Sequence, residues 1–447
     1  MKTHLLMISF FFSLITYSQS SYDDVAVIIN DNSQVSINIG KYFQQARNIP
    51  PQNMIHILGP ITEHIDSIEF VQIREQIENQ LISLGISDSI NYLVTTKGVP
   101  LKINSGCLLD SVPGTNCASV DSELALILGP LSNSIGGSGA VNNPFFGDTS
   151  NFSRDSLGIY LVTRLDGYSE FDVYKLIDRS GPGKGINKIS AKAVVDVSNA
   201  SGSDSTYFVS QIIPAYDYLV NNSWNAEFDA NHALLNNQMD VFGYFGLGFG
   251  PLPMAPFNYD WTDGSVGALT MSSSAFTFDE GINSGDYLLI ADLIKNGCTG
   301  ALGYVDLIYF SQIWRTDVFL NRYLDTSTTF NLAESYYMAE KTLSWQSVII
   351  GDPKSSVIID NLASQFENEI EEINLYPNPS AGIVHLRANE VINSVSVFNI
   401  AGAQIRNHDQ IMSNSVQIDL QDVENGIYTI QVVIGDDVLR KRVVINH

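Results

Sequence analysis

The sequence predicts an α/β domain with a largely parallel sheet covered by helices, followed by a small C-terminal antiparallel β-sandwich. Three observations carry that expectation. Short, near-continuous apolar runs alternate with segments of helical period from Val25 to Ile350, the pattern of buried parallel strands joined by helices. From Asn374 the period changes to two, with apolar and polar residues alternating between Gly, Asn and Asp clusters, as in short antiparallel strands. Between these parts lies Glu367-Asn368-Glu369-Ile370-Glu371-Glu372, a polar, charged stretch that reads as an exposed linker.

Taken in order, Met1–Ser20 has Lys2 and His4, then an apolar run Leu5–Ile15, then Ser18 and Ser20, which together read as a secretory signal peptide. That run is too short for a comfortable membrane span, and nothing later approaches about 18 uninterrupted apolar residues. The expected division is a signal peptide at 1–20, the α/β domain at 21–362, an acidic linker at 363–373 and the β-sandwich at 374–447. Val25–Ile29 is a strand. Val35, Ile39, Tyr42, Phe43 and Ala46 share one helical face before Pro50-Pro51. Met54–Leu58 is the next strand, Ile65, Ile73, Ile77 and Leu81 mark a helix, and Tyr92–Thr95 is a third strand. The Gly/Ser/Asn-rich interval from Gly98 to Ser156 fits no strand–helix unit and reads as an excursion at one sheet end. Then follow strand Ile159–Thr163, helix Glu170–Arg179, strand Ala193–Val197, helix Tyr207–Val220 and strand Val241–Phe245. Strand Leu269–Ser272, helix Tyr287–Asn296, strand Ala301–Val305, helix Leu332–Thr342 and strand Val348–Ile350 complete the domain. In the tail, Val395, Val397 and Phe398 precede an Ala401-Gly402 turn, and Val416, Ile418, Leu420 and then Tyr428, Ile430, Val432 alternate with polar residues.

Composition narrows the function. A hydrophobic fraction of 45% suits a globular chain. A net charge of −25 argues against nucleic-acid binding, which needs basic surface to displace counterions, and against adhesion to anionic lipid by charge. No Asp-x-Asp-x-Asp-Gly calcium loop and no zinc spacing occurs, and no cofactor is indicated. In an oxidising compartment Cys107 and Cys117 can close a short disulfide loop within the Gly/Ser/Asn-rich stretch. Cys298 reads as a small buried filler.

Ligands of open α/β sheets gather outside the C-terminal strand ends, so residues just after strands are the first candidates. Lys97 and Arg164 stand there, able to bind an anion or to pair with Asp166 and Asp121. Asp121 and Glu123 form either an acid–base or metal-binding carboxylate pair, or caps for the apolar segment Leu124–Leu128. Ser272-Ser273-Ser274 offers hydroxyls for nucleophilic attack or for satisfying a strand end. Gly246-Leu247-Gly248-Phe249-Gly250 lacks the Lys-Ser/Thr of a phosphate loop. Trp224, Phe228, Tyr244, Phe249, Phe257, Tyr259 and Trp261 are either core residues or the lining of a peptide or glycan groove.

The tail combines Tyr376-Pro377-Asn378-Pro379-Ser380, the Asn425-Gly426-Ile427-Tyr428 turn and a basic Arg440-Lys441-Arg442. It closely resembles the C-terminal sorting domain of the bacterial type IX secretion system. That resemblance implies the secretion machinery as partner and a destination at the cell surface or beyond. Thr95–Pro100, Val120–Leu124, Val162–Gly167 and Ile350–Pro353, with the opening from Val25, resemble a family of secreted bacterial proteins of unknown function. The order from 241 to 353 also resembles the catalytic half of gingipain-type cysteine peptidases, relatives of caspases. In that family a strand ends in a Tyr-x-Gly-His-Gly-like turn and the next ends at a cysteine. Here Tyr244-Phe245-Gly246-Leu247-Gly248 sets Leu247 in the general base's place, and Leu269–Ser274 brings Ser273 or Ser274 near the nucleophile's. Gly300-Ala301-Leu302-Gly303 and Gly351-Asp352-Pro353 match the family better. Leucine can neither raise a thiolate fraction nor protonate a leaving amine, and serine needs a base even more than cysteine does. The resemblance thus implies a scaffold without its peptidase dyad, a binding or surface module for a peptide or glycan. The alternative is a hydrolase using Ser273 or Ser274.

Overall fold

The computed structural model describes residues 21–103, 118–134, 141–197, 202–230, 235–247, 258–281, 288–306, 308, 310–325, 327–360, 373–399, 403–435 and 437–447. The chain divides into two compact units, Met1–Asn361 and Leu362–His447. The expected signal peptide lies outside the described residues, as do Cys107, Cys117, Phe249 and Phe257. So does the expected linker, apart from Ile373.

The first unit is built on a ten-stranded sheet. Its strands are β1 (Val25–Asn30), β2 (Met54–Ile57), β3 (Tyr92–Thr96), β4 (Leu161–Leu165) and β5 (Lys192–Asp196). The remainder are β6 (Asn225–Asp229), β7 (Gln238–Gly246), β8 (Tyr259–Leu269), β9 (Gly300–Tyr304) and β10 (Ser347–Gly351). They lie in the order β6-β5-β7-β8-β9-β10-β4-β3-β1-β2. Ladders among β2, β1, β3 and β4, and among β6, β5, β7, β8 and β9, are all parallel. β10 runs antiparallel to β9, with Ser347 opposite Tyr304, and meets β4 through one bridge, Ile350 to Arg164. Every residue of β1, β3, β4, β9 and β10 is buried, which is why these strands read as continuous apolar runs in the sequence.

The helices have local causes. α1 (Gln34–Arg47) starts where the Ser33 hydroxyl accepts from the Ser36 amide and stops at Asn48 in the left-handed region. It buries Ile39 and Phe43, and Gly40 lets it approach β1, since a Cβ there would lie 2.5 Å from the Ile29 side chain. Reciprocal side-chain caps open α2 (Ser67–Ser83) through Asp66 and Glu69, and the helix Glu170–Arg179 through Ser169 and Asp172. The same device opens the helix Leu332–Ala339 through Asn331 and Glu334.

One expected strand is corrected, and an unforeseen helix joins the domain. The strand expected at Leu269–Ser272 ends at Leu269 and begins ten residues earlier. Residues 262–265 are passed over where the β7–β8 register jumps from Val241–Trp261 to Gly243–Val266, so no unbroken apolar run marks the strand. The helix Thr316–Tyr323 was not foreseen; it buries Phe319, Leu320 and Tyr323 over only eight residues. Of the aromatic residues considered as a groove, Trp224, Tyr244, Tyr259 and Trp261 are core, whereas Phe228 is 40% exposed. Cys298 is fully buried, its thiol directed at Gly300 O, and burial pushes its pKa up to about 12, as suits an inert filler.

The strand ladders of the second unit are all antiparallel. β11 (Ile373–Tyr376), β12 (Ile383–Phe398), β14 (Gly426–Ile434) and β15 (Asp437–Ile445) follow one another, with β13 (Gln404–Asp419) paired to β12. It has its own core of Val384, Leu386, Val395, Val397, Ile430, Val432 and neighbouring residues.

Candidate functional site

Four of the sequence-derived candidates meet beyond the ends of β3 and β4. Arg164, the fourth residue of β4, is fully buried. Its Nε donates to Asp121 Oδ2 at 2.9 Å and its Nη2 to Asp121 Oδ1 at 2.9 Å. Nη1 reaches Val99 O at 2.8 Å and Asp166 Oδ2 at 3.4 Å, and Nη2 reaches Pro100 O at 2.8 Å. All five guanidinium protons are therefore used. Asp121 also accepts from Thr95 Oγ1 at 2.9 Å, and Asp166 from Lys97 Nζ at 3.3 Å and the Gly167 amide at 2.9 Å. This alternation of charge lets two carboxylates and a guanidinium lie in the interior without an unpaired ion.

Asp121 and Glu123 do not act as helix caps. They lie inside the short helix Val120–Leu124, whose cap is the Ser119 hydroxyl, and Glu123 turns away to accept from Ser344 Oγ at 2.8 Å. The two carboxylates thus have separate partners rather than forming one acid–base pair.

Lys97 carries the network across the sheet. Its Nζ also donates to Phe278 O at 2.9 Å, in the turn after β8. Glu63 grips the same turn, accepting from Thr277 Oγ1 at 2.7 Å and the Phe278 amide at 2.5 Å, and burial raises its pKa. The neighbouring His64 hydrogen-bonds the Phe276 backbone. Burial and the Lys102 charge lower its pKa, against the opposing pull of Asp306 and Asp279. Sequence reasoning missed Glu63 and His64, because their partners lie more than two hundred residues away; only the pairing of His64–Ile65 with Lys102–Ile103 brings them to the strand ends.

The serines differ sharply. Ser274 is fully buried; its hydroxyl donates to Leu269 O at 3.2 Å and accepts from the Tyr304 amide at 3.1 Å. Ser273 is half-buried in the left-handed region, φ 62°, with its amide on Asp306 O at 3.1 Å. Among the described residues its hydroxyl has no hydrogen-bond partner. Leu247 is buried in the core, continuing β7 through its amide on Asp196 O.

In the second unit the candidate motif residues close the sheet. Asn378 behaves as an extra rung on β15, its Nδ2 donating to Arg442 O at 3.1 Å and its Oδ1 accepting from the Val444 amide at 2.9 Å. It lies between Pro377 and Pro379, both preceded by cis peptide bonds and both exposed. Tyr376 is half exposed and stacks on His385. Tyr428 is buried and donates to Glu424 O at 2.6 Å, tightening the turn at Gly426, while Asn425 accepts from the His447 amide at 2.9 Å. Arg440, Lys441 and Arg442 are exposed on β15.

Comparison with known proteins bears on this unit most directly. Residues 374–446 match the family described as the secretion system C-terminal sorting domain. The tail is a sorting domain. Such a tail marks proteins exported by the type IX secretion system to the cell surface or the extracellular space, and it implies contact with that machinery. Over the whole chain, solved structures of low similarity include the Porphyromonas gingivalis complex of RgpB pro- and mature domains. That pair shows 11% identity and a TM-score of 0.41, covering 94% of this chain and 100% of the other. The Arg-specific cysteine proteinase gingipain R shows 12% identity and a TM-score of 0.42, covering 95% and 98%. No curated protein matches the sequence. Among the described residues no helix is long and apolar enough to cross a membrane.

Proposed function

We propose that the α/β unit is a non-peptidase binding or surface module, carried outward by the sorting domain, whose ligand is an extracellular peptide or glycan. The observation that supports this reading is the state of the strand-end polar groups. Arg164, Asp121 and Asp166 saturate one another, and the Ser274 hydroxyl is buried and committed at both its proton and its lone pair. The position that resembles the peptidase base is Leu247, sealed in the core. A hydrolase needs a nucleophile whose proton a base can take, and the free Ser273 hydroxyl touches no imidazole among the described residues.

A second reading keeps Ser273 as the nucleophile of a secreted hydrolase. It draws on the left-handed backbone and free hydroxyl at that residue, with His64 bonded to the Phe276 backbone three residues on. Serine- and cysteine-directed activity probes on the purified mature protein, mapped by mass spectrometry, separate the two readings. The binding module predicts no fold-dependent labelling at Ser273 or Ser274. Labelling of Ser273 that is lost on denaturation, or on His64→Ala, would establish the hydrolase instead.

A further inference from the structure

β2 is the outermost strand on one side of the sheet, and the outward backbone groups of His56 and of Leu58 just beyond it are already occupied. The His56 amide donates to Gln80 Oε1 at 3.0 Å, and Gln80 Nε2 donates to His56 O at 2.5 Å. Two residues on, the Leu58 amide donates to Gln76 Oε1 at 2.8 Å, and Gln76 Nε2 donates to Leu58 O at 3.2 Å. Each side-chain amide thus takes the place of a peptide group on a neighbouring strand. The match is geometric. Residues i and i+2 on a strand present their polar groups to the same side, roughly 7 Å apart, while residues i and i+4 on a helix stand about 6 Å apart on one face. The remaining proton of each amide is spent on α2 itself, Gln76 Nε2 on Gln72 O at 3.1 Å and Gln80 Nε2 on Gln76 O at 3.2 Å, which fixes the side chains in register.

We propose that the outer edge of β2 is a strand-addition surface that α2 holds closed with Gln76 and Gln80, and that the strand it would otherwise accept is the same edge of a second copy. Charge selects that occupant. Met54-Ile55-His56-Ile57-Leu58 contains no carboxylate in a chain of net charge −25, and the Asp31 carboxylate beside it is engaged by His56 Nδ1 at 2.7 Å, so two copies meet there with little like-charge repulsion. The strand at the opposite side of the sheet, β6, carries Glu227 and Asp229. Apolar side chains fringe the closed edge. Leu58, Ile61 and Ile68 are each more than 60% exposed, and Val71 is 44% exposed. A two-fold axis through His56 would set two such fringes against each other, the isologous arrangement of a closed dimer. Open edges of this kind invite pairing between copies, and a protein passed through a secretion apparatus must avoid it.

The test uses the mature full-length chain with Gln76→Ala/Gln80→Ala and, separately, Gln76→Lys/Gln80→Lys. Alanine and lysine both suit a helix interior, so α2 persists in each. Amide hydrogen exchange at His56 and Leu58 should quicken at least tenfold in both variants when they are dilute. Light scattering across a concentration series should show the alanine variant associating where the natural protein does not, and the lysine variant remaining like the natural protein, because lysine guards an open edge. Leu58→Asp added to the alanine variant should reverse the association. Unchanged exchange at both amides would overturn the closed-edge reading, since the glutamines would then protect nothing. An alanine variant that associates no more than the natural protein, or equal association of the alanine and lysine variants, would overturn the second-copy assignment.

Discussion

At the scale of single residues, the strand-end network makes two sharp predictions. Arg164→Met fills similar volume but leaves Asp121 buried beside no cation and Asp166 with Lys97 alone, so it should cost about 3–5 kcal/mol in urea unfolding. Asp121→Asn added to that variant should recover part of the loss, because it removes the stranded charge. The serines should move in opposite directions. Ser274→Ala strands the buried Tyr304 amide and should cost about 1–3 kcal/mol, whereas Ser273→Gly relieves a left-handed backbone and should gain up to about 1 kcal/mol. Thermal and urea unfolding of both variants checks the contrast. Part of this network was legible beforehand. Lys97, Arg164 and Asp166 follow or end apolar runs and carry opposite charges, which is enough to expect ion pairs. Glu63 with Phe278 and Glu123 with Ser344 were not legible, because nothing local in either sequence segment marks a partner supplied by a distant loop.

At the scale of elements, the C-terminal end of the helix Leu332–Ala339 holds the clearest pH sensor. Glu340 is fully enclosed, and burial drives its pKa from an ordinary 4.5 up to about 8, against weaker pulls from the Thr342 amide and Lys341. The folded value lies above the unfolded one, so its contribution is whole below pH 4.5 and is lost as pH rises toward 8. The slope from this group is about 1.4 kcal/mol per pH unit in that window. Glu340→Gln keeps shape and polarity without the ionisation, so its stability should exceed that of the natural protein by a margin that widens from pH 5 to pH 8 and then levels. Urea midpoints measured across that range decide the matter, and a constant difference would place the ionisation elsewhere. Element boundaries themselves were legible where caps and periodicity agree. Glu170–Arg179 has Ser169 before it, Asp172 in its first turn and a single apolar face, and the structure forms the helix between the expected residues. β8 was misplaced because a looped-out Thr262-Asp263-Gly264-Ser265 breaks its alternation, and the helix Thr316–Tyr323 was missed because eight residues give too short a sample of the helical period.

At the scale of the whole molecule, the chain separates an address from a cargo, and each has its own core. The first core runs from Tyr22 to Val357 and the second from Ile373 to Ile445. The tail's address was legible because its motif residues also perform folding work that few other residue types can do. Asn378 imitates a peptide group against β15, Tyr428 ties its own turn, and Asn425 pins the last residue. The cargo's role was not legible in the same way, since its strand-end charges are consumed in holding the sheet together. This separation predicts the outcome of truncation. A chain ending after Asn361 keeps the whole first core and should still unfold cooperatively, with near-ultraviolet circular dichroism like that of the full protein. It should nevertheless stay inside the cell envelope in a type IX-competent bacterium, because the sorting domain is gone, whereas the full chain reaches the surface or the medium. Fractionation with an antibody to the α/β unit reads both results in one experiment. Export of the truncated chain would move the address into the first unit, and loss of its cooperative transition would show that the two cores fold as one.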